Sequence, residues 1–477
     1  MTQTPQQTFR VQVLGCRVNH AEKREIEAVL LSRGLTEALS GEAADLEIVH
    51  TCGVTGRAAA KSRLAIRQAR RTQTAQGTTL ITGCLPGTNP AQAEELTDEH
   101  TVAFDRQLPV PQAVARWIDA QSSPTPHLPP LERSASGPPT TIPLPIAALP
   151  SRLAHHIRAE VHIQDGCDAH CTFCIIPRGR PTLRSKRADV VVQEVSRLVE
   201  LGHQEIVLTG IFLGAYQHHT AIRKKQQHIG HCPLAELVHT IAQIDGLQRL
   251  RLSSLEPGDV SKDLLDAMVA NIHVVTPHLH LPLQSGSDAV LRRMNRQYRT
   301  ADYLDMVDRI TRALGQPGLP PAITTDIMTG FPGESDKDFE DTMTLAKQVG
   351  FLHMHVFRFS PRTGTAAARW TTNAVPAGVS HARAAQLRLL ETHADTGLAA
   401  IYRNRLLNRE IRIITERPDP NRVDHWLGRC DHYCMASCHG PSRRGQIVRA
   451  IVRGIEDDIL LADPVSAAVH LPVLSPP

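Results

Sequence analysis

Residues 167–174, Cys-Asp-Ala-His-Cys-Thr-Phe-Cys, put three cysteines on one short loop directly after a predicted strand, 160–165 (EVHIQD). A helical pattern follows, so the loop belongs to a βα unit and must sit at the carboxyl end of its strand. Three thiolates this close can hold three irons of a [4Fe–4S] cluster, because soft sulfur ligands suit iron–sulfur sites. The fourth iron then has no protein ligand, and an open metal position is where a small molecule binds. A zinc knuckle or plain buried thiols are the other readings. Zinc calls for a fourth Cys or His at fixed spacing, and His170 inside the loop is poorly placed for it.

Around this loop the chain alternates strand and helix. Candidate strands are 160–165, 205–210 (EIVLTG), 249–254 (RLRLSS), 278–283 (HLHLPL), 322–330 (AITTDIMTG) and 353–360 (HMHVFRFS), with helical intervals such as 190–201 and 335–349. Repeated right-handed βα units of this number predict a full or partial barrel. Upstream, the β-branched runs 9–15, 45–51 and 78–83 alternate with helical patterns at 20–33 and 55–71, predicting a small parallel α/β domain. Downstream, EIRIITE, QIVRAIVRG and DILLAD within 410–463 predict a small β-barrel. Residues 121–150 hold nine prolines and no periodicity, the composition of an extended linker. The polar, basic stretch 217–231 reads as a flexible surface insertion. The expected organisation is α/β: an N-terminal domain over 1–120, a linker over 121–152, a barrel over 153–400 and a β-barrel over 401–465. A chain of 477 residues is long enough for these three cores.

The N-terminus lacks a basic segment followed by an apolar one, and no stretch approaches the roughly 18 uninterrupted apolar residues of a spanning helix. A cytoplasmic protein without membrane contact is expected. In such a chain ten cysteines point to metal ligation or redox chemistry before disulfides. The net charge of +4 is too small to name a partner, so the distribution of basic residues carries more than the total.

Cys16, Cys52 and Cys84 each stand at or just past the end of an N-terminal strand, in VLGCRVN, VHTCGVT and ITGCLPG. Ligands collect at the carboxyl ends of strands in open parallel sheets, so three loops can bring these thiols together. Taken singly, each would read as a buried core cysteine. Three at equivalent topological positions read as a second ligand set, again with one iron free.

The cysteine loop, with an aromatic before its last cysteine, resembles the radical-SAM superfamily. LGCRVNHAE, HTCGVTGRAAAKSR, TGCLPG, DGCDAHCTFCIIP, RLRLSSLEP, HLHLPLQSGSDAVLRRMNRQY, TTDIMTGFPGE and HVFRFSPRTGTAAA together resemble the methylthiotransferases within it. The C-terminal barrel looks like a TRAM domain, a small RNA-binding module. The resemblance implies two [4Fe–4S] clusters, on Cys167/Cys171/Cys174 and on Cys16/Cys52/Cys84, and S-adenosylmethionine as cofactor. It implies that one molecule of the cofactor methylates a sulfur carried by the N-terminal cluster. A second is cleaved at the loop cluster to a 5′-deoxyadenosyl radical, which activates the C–H bond at adenine C2 in a tRNA anticodon stem-loop. A reductase and a sulfur donor are the further partners it implies.

RLSSLEP, PLQSGSDAVLRRMNR and HVFRFSPRTGTAAA look closest to the branch acting on N6-threonylcarbamoyladenosine at position 37. The other branches act on isopentenyladenosine in tRNA or on an aspartate of a ribosomal protein. A non-catalytic iron–sulfur protein that senses through RNA is the reading from another class. For the cofactor, Thr209, Gly210, Glu256, Gln284, Asp326 and Phe357 are candidate contacts, against ordinary rim polar residues and one core aromatic. For RNA, the candidates are Arg57, Lys61 and Arg63 on the helix after Cys52, with Arg443, Arg444, Arg449 and Arg453 in the barrel as the safer region. Two features depart from the family pattern. IIPRGRPTL after Cys174 is about two residues short, and Cys430, Cys434 and Cys438 form a C-x3-C-x3-C series. Loop thiols are the expectation for that series, against a further metal site.

Overall fold

In the N-terminal and central units helices cross over between successive long strands, so those strands pair in parallel. The computed structural model describes residues 7–104, 108–121, 157–226, 230–440 and 444–465. Of the expected linker only Gln121, the last residue of a helix, lies inside the described residues.

The N-terminal unit runs β1 (Thr8–Val13), α1 (Arg17–Ser32), β2 (Thr36–Glu37), β3 (Ala44–Thr51), α2 (Gly56–Thr72), β4 (Gln73–Gly83), α3 (Cys84–Thr88), α4 (Pro90–Glu94), β5 (Thr101–Ala103) and α5 (Val110–Gln121). Its sheet has the order β2-β1-β3-β4-β5, and every pair is parallel. Helix α1 buries two faces. Ile26 and Leu30 pack on the sheet with Phe9, Ile48 and Leu80. Glu22, Glu25 and Glu27 are buried as well, because that side meets the next unit. There Lys186 pairs with Glu25 at 2.7 Å and Glu194 at 2.6 Å, and Arg24 lies 3.5 Å from Glu194.

The central unit runs β6 (Arg158–Asp165), α6 (Ile176–Gly179), β7 (Arg184–Ser185), α7 (Ala188–Glu200), β8 (Glu205–Gly210), α8 (Pro233–Ala242), β9 (Arg249–Leu252), α9 (Lys262–Ala270), β10 (His278–His280), α10 (Asp288–Arg293), α11 (Thr300–Leu314), β11 (Ala322–Thr329), α12 (Asp336–Val349), β12 (His353–Arg358), α13 (Ala377–Thr392) and α14 (Leu398–Asn404). β6-β8-β9 and β10-β11-β12 are parallel sheets, joined by the parallel bridges Leu250–Val275 and Ser254–His280. The result is an open barrel of six parallel strands flanked by helices. Leu279, Leu281, Ile323, Ile327 and Met354 point into the helical core. By strand alternation His278, His280, Asp326, His355 and Phe357 share the opposite, inner face.

The C-terminal unit is a closed barrel, β13 (Glu410–Pro418), β14 (His425–Cys430), β15 (Met435–His439), β16 (Ile447–Glu456) and β17 (Ile459–Pro464), ordered β13-β14-β15-β17-β16. It docks under the central strands. Arg249 donates to the carbonyls of Arg412 (2.7 Å) and Arg429 (3.1 Å), and Arg251 to those of Cys430 (2.8 Å) and Asp431 (3.1 Å). Both guanidiniums are held by buried Glu205, at 3.1 and 3.0 Å. Burial alone would raise that carboxyl, but Arg251, Arg158 and Arg249 together hold it far below its ordinary value. The Tyr433 ring stacks on His278 at 4.3 Å, and Arg17 donates to its hydroxyl at 2.9 Å. Cys430 ends β14, Cys438 lies in β15 and Cys434 sits in the turn between them, so only Cys434 is in a loop. All three are buried in the barrel core, with Ile413, Ala436 and Leu460. Among the described residues they do not form a trio with sulfurs within 4.8 Å of one another.

Candidate active site: two cysteine triads and the arginine between them

Cys16 precedes α1, Cys52 follows β3 and Cys84 opens α3 after β4, so parallel neighbours deliver all three to one edge of the sheet. Gly15, at φ +111°, turns the chain there; a Cβ on it would stand 2.8 Å from the Cβ of Cys52. The thiols interact electrostatically with one another. Burial pushes the Cys52 thiol up to about 11. Cys16 opens to solvent, yet surrounding protein raises its thiol too, against the pull of Arg180.

The second triad follows β6. Gly166, at φ +82°, approaches the Thr182 carbonyl so closely that a Cβ would lie 2.0 Å from its oxygen. The loop is cradled by the end of α10. The Thr172 amide donates to the Met294 carbonyl (3.0 Å), its hydroxyl to the Arg293 carbonyl (2.8 Å), and Asn295 to the His170 carbonyl (2.8 Å). Phe173 anchors it edge-on to Phe331, with centroids 6.3 Å apart. Burial pushes the Cys167 and Cys174 thiols up to about 12. Thiols held protonated by burial become good ligands only when a metal displaces the proton.

Sulfurs around one tetrahedral zinc stand about 3.8 Å apart, from Zn–S of about 2.3 Å. Among the described residues neither triad brings three sulfurs within 4.8 Å of one another. Three thiols in each triad are a soft donor set of the kind that suits iron–sulfur clusters.

Arg180 joins the two triads. The Cys167 amide donates to its carbonyl at 3.1 Å. Its buried guanidinium donates to Asp165 (2.5 Å), to both oxygens of Glu22 (3.1 and 2.7 Å) and to Asn19 (3.1 Å). Asn19 in turn donates to the carbonyls of Leu14 (2.7 Å) and Thr51 (2.9 Å), close before Cys16 and Cys52 in the chain. Burial works against the charge on Arg180, but Asp165 and Glu22 outweigh it. Arg180 lies in the short IIPRGRPTL segment, whose helix α6 packs on α3; a Cβ on Gly87 would stand 2.9 Å from the Cα of Gly179. A second tie crosses through the loop after β12. Arg362 donates to the Gly53 carbonyl (2.7 Å), and the Ala367 amide donates to the Thr172 carbonyl (2.8 Å).

The candidate cofactor contacts fall on the rim of the open barrel and its inner face. Thr209 and Gly210 end β8, with Gly210 against Gln164. Gln284 sits at φ +64°; its amide donates to the Asp326 carbonyl (2.8 Å), and its side-chain oxygen is buried without a partner. Asp326 lies 3.5 Å from His280, and with His355 these groups bring three ligand atoms within 4.8 Å. Phe357 packs in one cluster with Met328, Phe331 and Phe173 of the cysteine loop. Glu256 is held by Arg296 and by Arg223, the latter at 3.1 Å.

Arg223 belongs to the 217–231 stretch, so that stretch is not simply a loose surface loop. Thr220 and the Ala221 amide hold Asp168 of the cysteine loop at 2.6 and 2.7 Å, and Arg223 also pairs with Asp259 at 2.9 Å. Residues 227–229 lie outside the described residues. The cations differ in their surroundings. Arg449 is paired with Glu410 (2.6 Å) and Arg453 with Asp463 (3.3 Å), whereas Arg57 and Lys61 are exposed on α2 beside Cys52 and Arg63 donates to Gln92 at 3.0 Å. Arg444 is exposed; Arg443 lies outside the described residues.

Arg180, Asn19, Glu22, Arg296 and His355 were not singled out by sequence reasoning. Only the unusual length of IIPRGRPTL pointed toward Arg180.

Residues 161–346 match the model of the Radical SAM superfamily, and residues 8–105 match Uncharacterized protein family UPF0004. Radical S-adenosylmethionine methyltransferase TsrM from Kitasatospora setae, solved with cobalamin and a [4Fe-4S] cluster, aligns at TM-score 0.53 and 15% identity over 76% of this chain and 77% of that one. That likeness speaks for the fold. The open barrel and its cysteine loop define a radical-SAM enzyme. The chain is 36% identical to threonylcarbamoyladenosine tRNA methylthiotransferase MtaB of Chlamydia pneumoniae over 76% of each, and 31% identical to the Bacillus subtilis protein of that name over 95% of this chain and 98% of the other. It is 29% identical to tRNA-2-methylthio-N(6)-dimethylallyladenosine synthase of Zymomonas mobilis over 92% and 93%. This chain belongs to the radical-SAM tRNA methylthiotransferase family. No helix among its described residues is long and apolar enough to cross a membrane.

Proposed function

We propose that the chain adds a methylthio group to C2 of N6-threonylcarbamoyladenosine at position 37 of tRNA. The observation that carries this reading is the pair of thiol triads at strand ends, tied together through Arg180. Cys167, Cys171 and Cys174 would hold one [4Fe–4S] cluster, and Cys16, Cys52 and Cys84 a second. When bound, the clusters supply the electron that cleaves S-adenosylmethionine and the sulfur that is transferred. The protein's part is positioning and exclusion of water. Thr209, Gly210, Glu256, Gln284, Asp326 and Phe357 orient the cofactor on the barrel rim and inner face. Arg180 and Arg362 fix the N-terminal triad against that rim, so a base presented there meets both triads. Arg57, Lys61 and Arg63 lie beside Cys52, where phosphates flanking the base would run, with Arg443 and Arg444 as the barrel's contribution. The choice of nucleoside rests on the motifs RLSSLEP, PLQSGSDAVLRRMNR and HVFRFSPRTGTAAA, because overall identity does not separate the branches: threonylcarbamoyladenosine enzymes match at 36% and 31%, dimethylallyladenosine enzymes at 29% and 32%. A reductase and a sulfur donor complete the cycle in the cytoplasm.

Mass spectrometry of tRNA nucleosides from a strain lacking the gene tests the reading. The 2-methylthio derivative should vanish and N6-threonylcarbamoyladenosine accumulate, with restoration by the intact gene. Loss of the methylthio-isopentenyl nucleoside, or of methylthio-aspartate in a ribosomal protein, would contradict it.

A further inference from the structure

The cysteine loop meets one strong cation. Arg296 donates from Nη1 to the Cys171 sulfur at 3.3 Å. Its other terminal nitrogen pairs with Glu256, and the guanidinium lies over the Tyr298 ring, 5.0 Å from its centroid. The side chain is buried, and three fixed neighbours hold it in one geometry. Glu256 takes a second guanidinium, Arg223 at 3.1 Å, which is itself fixed by Asp259 and lies over Phe212 at 5.4 Å. The segment carrying Arg223 also grips Asp168, the residue after Cys167, through Thr220 and Ala221. Two arginines alternate with the carboxylates of Glu256 and Asp259 in a line that ends with the Arg296 guanidinium on a sulfur.

We propose that Arg296, with Glu256 and Arg223 behind it, is a positioning residue that sets the reduction potential of the cluster on Cys167, Cys171 and Cys174. A hydrogen bond from a guanidinium to a ligating sulfur draws density from the thiolate. Added positive charge favours the state carrying one more electron. Both effects raise the potential, and hydrogen bonds to sulfur and net charge are established levers on iron–sulfur centres. The redox step is one electron taken up by the cluster from a low-potential donor, here dithionite. The inference rests on reading these three cysteines as cluster ligands.

The test uses the full chain carrying Cys16→Ala, Cys52→Ala and Cys84→Ala, reconstituted anaerobically so that one cluster is observed. Iron near four per chain in this parent supports the ligand reading; a parent with no cluster would overturn that reading and the proposal with it. Midpoints come from redox titration followed by electron paramagnetic resonance. At the poise that half-reduces the parent, Arg296→Gln should lower the reduced-to-oxidised ratio about tenfold, equivalent to about 59 mV for a one-electron couple. Arg296→Lys, which keeps the charge, should recover part of the shift. Arg223→Gln should move the midpoint the same way by less. Unchanged midpoints at full iron would overturn the proposal. Iron lost from both Arg296 variants would make the residue merely structural and overturn it as well.

Discussion

One triad is built by a loop and the other by a fold. Cys167, Cys171 and Cys174 lie within eight residues, and neighbouring backbone from Arg293 to Asn295 fixes their loop. Cys16 and Cys84 are 68 positions apart (84 − 16), and they meet Cys52 only when β1, β3 and β4 pair in register. A ligand set made by one loop needs its strand and little else. A set made by three strand ends needs the whole sheet, helix α1 and the Arg180 network. The same disturbance should therefore reach the dispersed triad first.

Arg180→Ala is expected to have the largest effect short of removing a cysteine. It removes the guanidinium that buried Glu22 and Asp165 share, a loss of about 3–5 kcal/mol. Chemical denaturation of the apoprotein should read that loss, and iron should fall more at the N-terminal triad than at the loop triad. Equal loss at both would break the contrast. Gly15→Ala is next. Its left-handed backbone and the 2.8 Å approach to Cys52 make a side chain costly, by about 1–3 kcal/mol. Iron at the N-terminal triad should drop while reductive cofactor cleavage persists.

The seam with the C-terminal barrel can be probed by pH. Burial drives the imidazoles of His278 and His432, at the seam with the C-terminal barrel, below the ordinary 6.5. The unfolded chain gains those protons near pH 6.5 and the folded chain does not. Stability is therefore full above that value and falls as pH drops below it, by about 1.4 kcal/mol per pH unit per histidine until the folded groups titrate. Melting temperatures from pH 8 to 5 should trace the slope, and His278→Gln should flatten it. The smallest effect is expected at α2. Arg57→Ala with Lys61→Ala should lower the slope of log tRNA affinity against log salt by about 1 for each phosphate no longer neutralised. Arg449→Ala, whose cation is already paired, should change it least.

How much of this was legible follows the same divide. Both triads stand out in the sequence, because the strands before them are β-branched runs and three of the six cysteines follow a glycine. The β-barrel was legible from its strand-length apolar runs. What could not be read was pairing at a distance. The acidic face of α1 carries no sign of partners in the sequence, yet Lys186 and Arg180 bury it against the central unit. The polar stretch 217–231 looks loose because its partners Asp168, Glu256 and Asp259 lie elsewhere in the chain. Cys430, Cys434 and Cys438 read as loop thiols because their spacing says nothing of direction, and the barrel turns all three inward.

The most direct test is a paired assay on one anaerobic sample, 5′-deoxyadenosine by chromatography and modified nucleoside by mass spectrometry. With Cys16→Ala, cofactor cleavage should continue while methylthiolated tRNA disappears; with Cys171→Ala, both should disappear. Full methylthiolation by Cys16→Ala would make the N-terminal triad structural, and loss of cleavage in that variant would show that the two triads do not act separately.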